Sequence, residues 1–188
     1  MKKWDGRSLV LQILLLMMVG SEHAAADELL NSRVYDPASK SYFEMVDGSK
    51  GLVKGYNGNE GPTWAQAYAL AREREFKGAR GRLAIIKDRA TSEFLARTFQ
   101  PKTYVWIGLR YWCNQRKLQW SDGEAWTPGS FQIWDKVWRQ DVYACPKGAG
   151  PAEYMPVAYS PLPEFHWIGK GINKRYYYFF VQYPTGGP

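Results

Sequence analysis

Apolar positions along the chain fall into short aromatic or β-branched runs and two stretches of helical period. Asp27 to Asp36 shows little periodicity and reads as a lead-in. Ser41 to Val46 is aromatic and partly alternating, which predicts a first strand, and the Gly- and Asn-rich Gly48 to Gly61 predicts a loop. Thr63 to Lys77 places Trp64, Ala67, Tyr68 and Ala71 on one face, with Thr63 as the N-cap after Pro62, so the spacing predicts an amphipathic helix that Gly78 to Gly81 stops. Leu83 to Ile86 is a short apolar run of strand type. A second helix follows over Thr91 to Phe99, with Phe94, Leu95, Thr98 and Phe99 on its apolar face and Thr91 or Asp88 as its cap.

Tyr104 to Arg110 (Tyr-Val-Trp-Ile-Gly-Leu-Arg) has no helical repeat and predicts a buried strand. Leu118 to Gly123 predicts its neighbour, ended by the Asp122-Gly123 turn. Trp126 to Glu153 then mixes Pro128, Gly129, Pro146, Gly148, Gly150 and Pro151 with Trp134, Trp138 and Tyr143, and is read as a long loop packed by its own side chains. Tyr154 to Tyr159 and Tyr176 to Tyr183 predict two closing strands, the last nearly continuous in aromatics and therefore central. Strand, helix, helix, strands, loop, strands is the order of an α+β domain with its helices grouped early.

Composition narrows the setting. Of the 188 residues 45% are hydrophobic, which suits a folded domain with a full core, and the 16% aromatic share is high. Met1 to Ala26 carries Lys2, Lys3 and Arg7, an apolar run from Leu9 to Val19 and Ala24-Ala25-Ala26. This describes a secretory signal peptide over residues 1–26, with residues 27–188 as the mature domain; an uncleaved anchor is the alternative. The net charge of +7 would suit an acidic partner, but the basic residues are scattered, which points to a solvated surface and away from nucleic acid. Export favours a disulfide between Cys113 and Cys145, and two buried thiols are the alternative.

In order and spacing several short stretches together resemble the C-type lectin-like domain, from about Val34 to Pro184. They are Val34-Tyr35-Asp36 with Tyr42-Phe43, Thr63-Trp64 and Ala67, Gly81-Arg82-Leu83-Ala84 with Glu93-Phe94, Trp106-Ile107-Gly108-Leu109, Trp120-Ser121-Asp122-Gly123, and Tyr178 to Pro184. The resemblance implies two helices packed on small antiparallel sheets, opening and closing strands that pair, a binding surface on the long loop, and core roles for Trp106, Trp120 and Trp134. The family's long-range disulfide positions match Ala71 and Val181, so that bridge is replaced by apolar packing. Cys113 and Cys145 do not fit the family's second bridge and read as a separate staple between the strand-connecting turn and the long loop.

Calcium-dependent sugar binding in that family uses a Glu-Pro-Asn or Gln-Pro-Asp tripeptide and an Asn-Asp pair after a Trp. Here those places hold Trp138-Arg139-Gln140 and Trp167-Ile168-Gly169, which lack the oxygens that calcium needs; Asp135, Asp141 and Glu153 nearby read as solvated loop charges. No metal or other cofactor is expected. His166 is the single His after Ala26, no Gly-rich phosphate loop is present, and no motif marks a carboxylate pair, so an enzyme is not expected. The expectation is a protein that is secreted, periplasmic or at the cell surface, without stable membrane insertion once the leader is cut. It would bind carbohydrate or protein independently of calcium through Trp126, Trp138, Arg139, Tyr143, His166 and Lys170. The alternative is a non-catalytic subunit of an exported or surface assembly.

Overall fold

The computed structural model describes residues 29–49, 61–135, 145, 153–161 and 165–188. The expected leader, residues 1–26, lies outside them, as do Trp138, Arg139, Asp141 and Tyr143. No helix among the described residues is long and apolar enough to cross a membrane.

Side-chain caps start both helices. For α1, Trp64–Arg72, the Thr63 hydroxyl accepts from Gln66 N while the Gln66 amide oxygen accepts from Thr63 N at 2.9 Å, a reciprocal box. For α2, Arg89–Phe99, Asp88 Oδ1 accepts from Thr91 N at 2.7 Å, so Asp88 is the cap and Thr91 is a buried helical residue. The first helix stops earlier than its period predicts. β3 (Glu75–Phe76) and β4 (Ala79–Arg80) pair around Lys77 and Gly78, both with positive φ, so the expected last turn of helix is instead a tight hairpin.

The main sheet has the order β1 (Val34–Asp36), β2 (Ser41–Asp47), β10 (Tyr178–Tyr183), β6 (Val105–Trp112), β8 (Tyr154–Tyr159) and β9 (Trp167–Gly169). Short β5 (Arg82–Leu83) pairs with β10, and β7 (Lys117–Trp120) pairs with the far half of β6. The opening and closing ends of the chain do pair, with Tyr178 opposite Asp47 and Tyr183 opposite Tyr42. Contrary to expectation the sheet is not wholly antiparallel. β10 lies parallel to β6, because the long loop, β8 and β9 form the crossover that a parallel pair requires. β1 and β9 have three residues each, too few to show a period. β10 begins at Tyr178 because the backbones of the two tyrosines before it are bonded elsewhere: Tyr176 N donates to Pro62 O at 3.3 Å, and Tyr177 O accepts from Gly48 N at 2.6 Å.

Alternation along β6 divides the core. Val105, Ile107 and Leu109 face α2 and pack with Phe43, Leu95, Phe99 and Phe180, while Trp106 faces α1 and packs with Trp64, Ala67, Phe179 and Val181. Trp106 and Trp120 are core residues, 0% and 3% exposed. Ala71 and Val181 lie fully buried in the same cluster, the apolar packing expected of this pair. Of Leu83 to Ile86 only the start is a strand. Ala84 N donates to Phe180 O at 2.9 Å and Ala84 O accepts from Gly108 N at 2.8 Å, so the run is wedged between β10 and β6.

Candidate functional site

After β7 the chain turns at Asp122-Gly123. Gly123 N donates to Trp120 O at 3.0 Å, Glu124 N to Asp122 Oδ1 at 3.0 Å, and Gly123 takes a φ of 94°, which favours glycine. The returning segment is held to β7 by the Gln119–Ala125 bridge and by Trp126 N donating to Leu118 O at 3.1 Å. A second tight turn follows, in which Ser130 N donates to Thr127 O at 3.0 Å and Gly129 has a φ of 93°. The indole of Trp126 closes this turn by donating to Phe131 O at 3.3 Å.

Between the two turns and the segment before α2 lies a cleft of about 490 Å³. Trp120, Trp126 and Phe131 form its apolar wall, and Lys87, Glu124, Thr127 and Ser130 its polar lining. Trp120 is buried, whereas Trp126 and Phe131 are half-buried. The wall rests on fully buried Trp167, which meets Trp120, Phe131 and Trp134 edge to face with centroids 5.6, 5.7 and 5.3 Å away. Trp134, expected in the core, packs there but stays half-buried.

Charge ties the cleft together. Lys87 and Glu124 meet at 2.5 Å, an exposed pair worth little to stability but able to offer both signs to a ligand's hydroxyls. Arg82 reaches Asp122 at 3.2 Å and Gln182 at 3.2 Å, anchoring the first turn to the central sheet. Burial pushes the Arg82 guanidinium down from its ordinary value, and the carboxylates of Asp122 and Glu124 oppose that shift.

Of the residues expected to bind ligand, Trp126 lines this cleft. His166 does not: its backbone closes the β8–β9 connection, with N donating to Ser160 Oγ and O accepting from Ser160 N, both at 2.8 Å. Lys170 is also elsewhere, its ammonium 4.0 Å from the ring centroid of Tyr104. Trp138, Arg139 and Tyr143 lie outside the described residues. Cys113 and Cys145 are joined, which staples the long loop to the end of β6. Sequence reasoning missed Lys87, Glu124 and Phe131. Thr127-Pro128-Gly129-Ser130 carries a turn signal, but nothing local to Lys87 reveals that it faces a segment some forty residues later.

No group of three or more His, Cys, Asp or Glu side chains that could hold a metal gathers among the described residues. Asp135 and Glu153 are among the described residues and belong to no such group, whereas calcium takes about six to eight oxygens; Asp141 lies outside the described residues. The arrangement can stack a ring and exchange hydrogen bonds.

The family profile described as the Lectin C-type domain matches residues 60–149. No curated protein matches the chain in sequence. Among solved structures the chain is similar to the C-type lectin CEL-I from Cucumaria echinata, at 13% identity and a TM-score of 0.54 over 76% of this chain and 89% of that one. The cow C-type carbohydrate-recognition domain of CD23, solved in the presence of a GlcNAc2Man3 oligosaccharide, matches at 18% identity and 0.54 over 80% and 92%. The human scavenger receptor C-type lectin carbohydrate-recognition domain matches at 14% identity and 0.54 over 80% and 94%. At these identities the likeness concerns the fold.

Proposed function

From the premise that this chain carries a C-type lectin-like domain, we propose that it is an exported binding module that recognises carbohydrate, without calcium, through the cleft beside Trp126. The observation that carries the reading is the cleft itself: half-buried aromatic rings next to paired Lys87 and Glu124 and the hydroxyls of Thr127 and Ser130. A pyranose has an apolar C–H face and a hydroxyl edge, and this wall and rim match them in kind. The leader pattern of residues 1–26 and the disulfide support export, with residues 27–188 as the mature domain. Recognition by ring stacking and hydrogen bonds needs neither cofactor nor turnover.

Protein recognition is a second reading, favoured by Ile172 and Tyr177, large apolar side chains 44% and 43% exposed. A glycan array run with and without chelator decides between them. The carbohydrate reading expects binding that chelator leaves unchanged and that Trp126→Ala weakens about tenfold, on the order of 1.4 kcal/mol. Binding abolished by chelator overturns the calcium-independent site. Silence on every glycan, with a protein co-purifying from the native envelope, favours the second reading.

A further inference from the structure

On the opposite side of β6 lies a cluster of cations with which no acid among the described residues pairs. Arg110 and Trp112 alternate onto the face that packs against α1, where Trp64 and Tyr68 stack with centroids 5.3 Å apart and an interplanar angle of 8°. The Arg110 guanidinium lies 4.2 Å from the Trp112 ring centroid, 5.4 Å from that of Trp64 and 5.7 Å from that of Tyr154. Its hydrogen bonding is sparse. Nη2 donates to Gln119 Oε1 at 3.5 Å, Nε is buried without a partner, and no described carboxylate pairs with it. Burial pushes its pKa down, and the groups that oppose the shift are the phenols of Tyr68 and Tyr154 rather than any acid. It nonetheless remains charged at physiological pH.

The same face holds further cations. Arg72 sits over the Tyr68 ring at 5.4 Å and donates to its hydroxyl at 3.4 Å. Lys117 is directly across from Trp112 in the β6–β7 register and is exposed, so it emerges on the Trp112 side. The Tyr154 ring also lines a separate cleft of about 360 Å³ with Lys174 and Ile172, where Glu153 is the acidic lining residue.

We propose that this face is a second ligand site, which takes an oxyanion carried on a sugar ring between Arg72, Arg110 and Lys117. A half-buried guanidinium without a counter-ion among the described residues is costly, and rings offset only part of that cost. An incoming carboxylate or sulfate supplies what is missing and accepts from the unused N–H donors in the planar geometry arginine favours. The ring surfaces of Trp112 and Tyr154 beside the cations favour a sugar over an acidic peptide, because they add a flat apolar contact for the ring that bears the anion.

Isothermal titration of the full mature chain tests this, using a heparin-derived hexasaccharide, its desulfated N-acetylated counterpart, an oligogalacturonate and a polyglutamate peptide. Binding of the sulfated sugar, the uronate or both is expected, which separates the two anion sources, with weakening on added salt. Arg72→Gln and Arg110→Gln should each reduce it at least about tenfold. Lys102→Gln, near the other end of β6, and Trp126→Ala should leave it unchanged, which keeps this site distinct from the cleft beside Trp126. Arg72→Gln changes an exposed side chain, so an unaltered unfolding midpoint will separate lost binding from lost fold. Equal losses in Lys102→Gln, loss in Trp126→Ala alone, unchanged binding in folded Arg72→Gln, or a peptide bound as tightly as the sugars overturns the proposal.

Discussion

Gly108 shows how a single residue sets the geometry between the two halves of the core. A Cβ there would sit 2.5 Å from Ser121 Oγ, 2.6 Å from Leu83 O and 3.0 Å from Ala84 O, closer than ordinary contact, and the carbonyls are backbone that cannot step aside. Gly108→Ala should therefore cost about 1 to 3 kcal/mol, read as a lower midpoint in urea unfolding. Tyr159 carries a different kind of constraint. It is fully buried, its hydroxyl donates to Ser92 O at 2.9 Å, and burial pushes its pKa up to about 12. In the unfolded chain a tyrosine titrates near about 10. The folded state keeps a proton that the unfolded state releases, so Tyr159's contribution is complete below pH about 10 and is lost as pH rises toward about 12. Tyr159→Phe should flatten that alkaline decline, as measured by unfolding midpoints over pH 9 to about 12.

Elements hold because local chemistry and tertiary contacts agree. Asp88 accepts the Thr91 N–H at the head of α2, and Thr91 in turn donates to buried Asp36 at 2.9 Å, linking the cap to the start of the sheet. Asp88→Ala removes the acceptor and should lower stability by about 1 kcal/mol, with faster amide exchange confined to the first turn of α2. On the other side of the sheet Glu44 is 1% exposed and is held by Arg74 at 2.5 Å, Arg33 at 3.3 Å and the Tyr183 hydroxyl at 2.6 Å. This joins β2 and β10 to the segment between α1 and the β3–β4 hairpin. A buried carboxylate with this many donors is costly to disturb one partner at a time.

Across the whole molecule the disulfide is the long tether. Cys113 follows the last residue of β6, and its partner lies 32 positions later in the long loop. Closing a loop of that length should restrict the unfolded chain by about 3 to 4 kcal/mol. Unfolding midpoints measured with and without a thiol reductant should differ accordingly, and Cys113→Ser should reproduce the reduced value. The two proposed ligand surfaces lie on opposite faces of the strand this bridge anchors. Loosening it should disturb the cation face at Trp112 more than the cleft beside Trp126, whose own turns are closed by local hydrogen bonds.

Sequence alone determined what depends on neighbours along the chain. The period of Trp64, Ala67 and Ala71, the cap at Thr63, the second cap at one of its two candidates, Asp88, the buried strand through Trp106 and the turn at Asp122-Gly123 each concern a few consecutive residues, and the structure has each of them. Together they are enough to identify the C-type lectin-like fold, and Trp126 was legible as a binding candidate. What tertiary structure decided was which distant residues meet. Lys87 faces Trp126, Arg110 lies among Trp64, Trp112 and Tyr154, and β10 runs parallel to β6. Strands of three residues carry no readable period, and an arginine that stacks on rings looks in sequence like any solvated arginine. Burial and partnership are properties of the folded surface, so no local pattern could encode that these cations would gather among rings on one face.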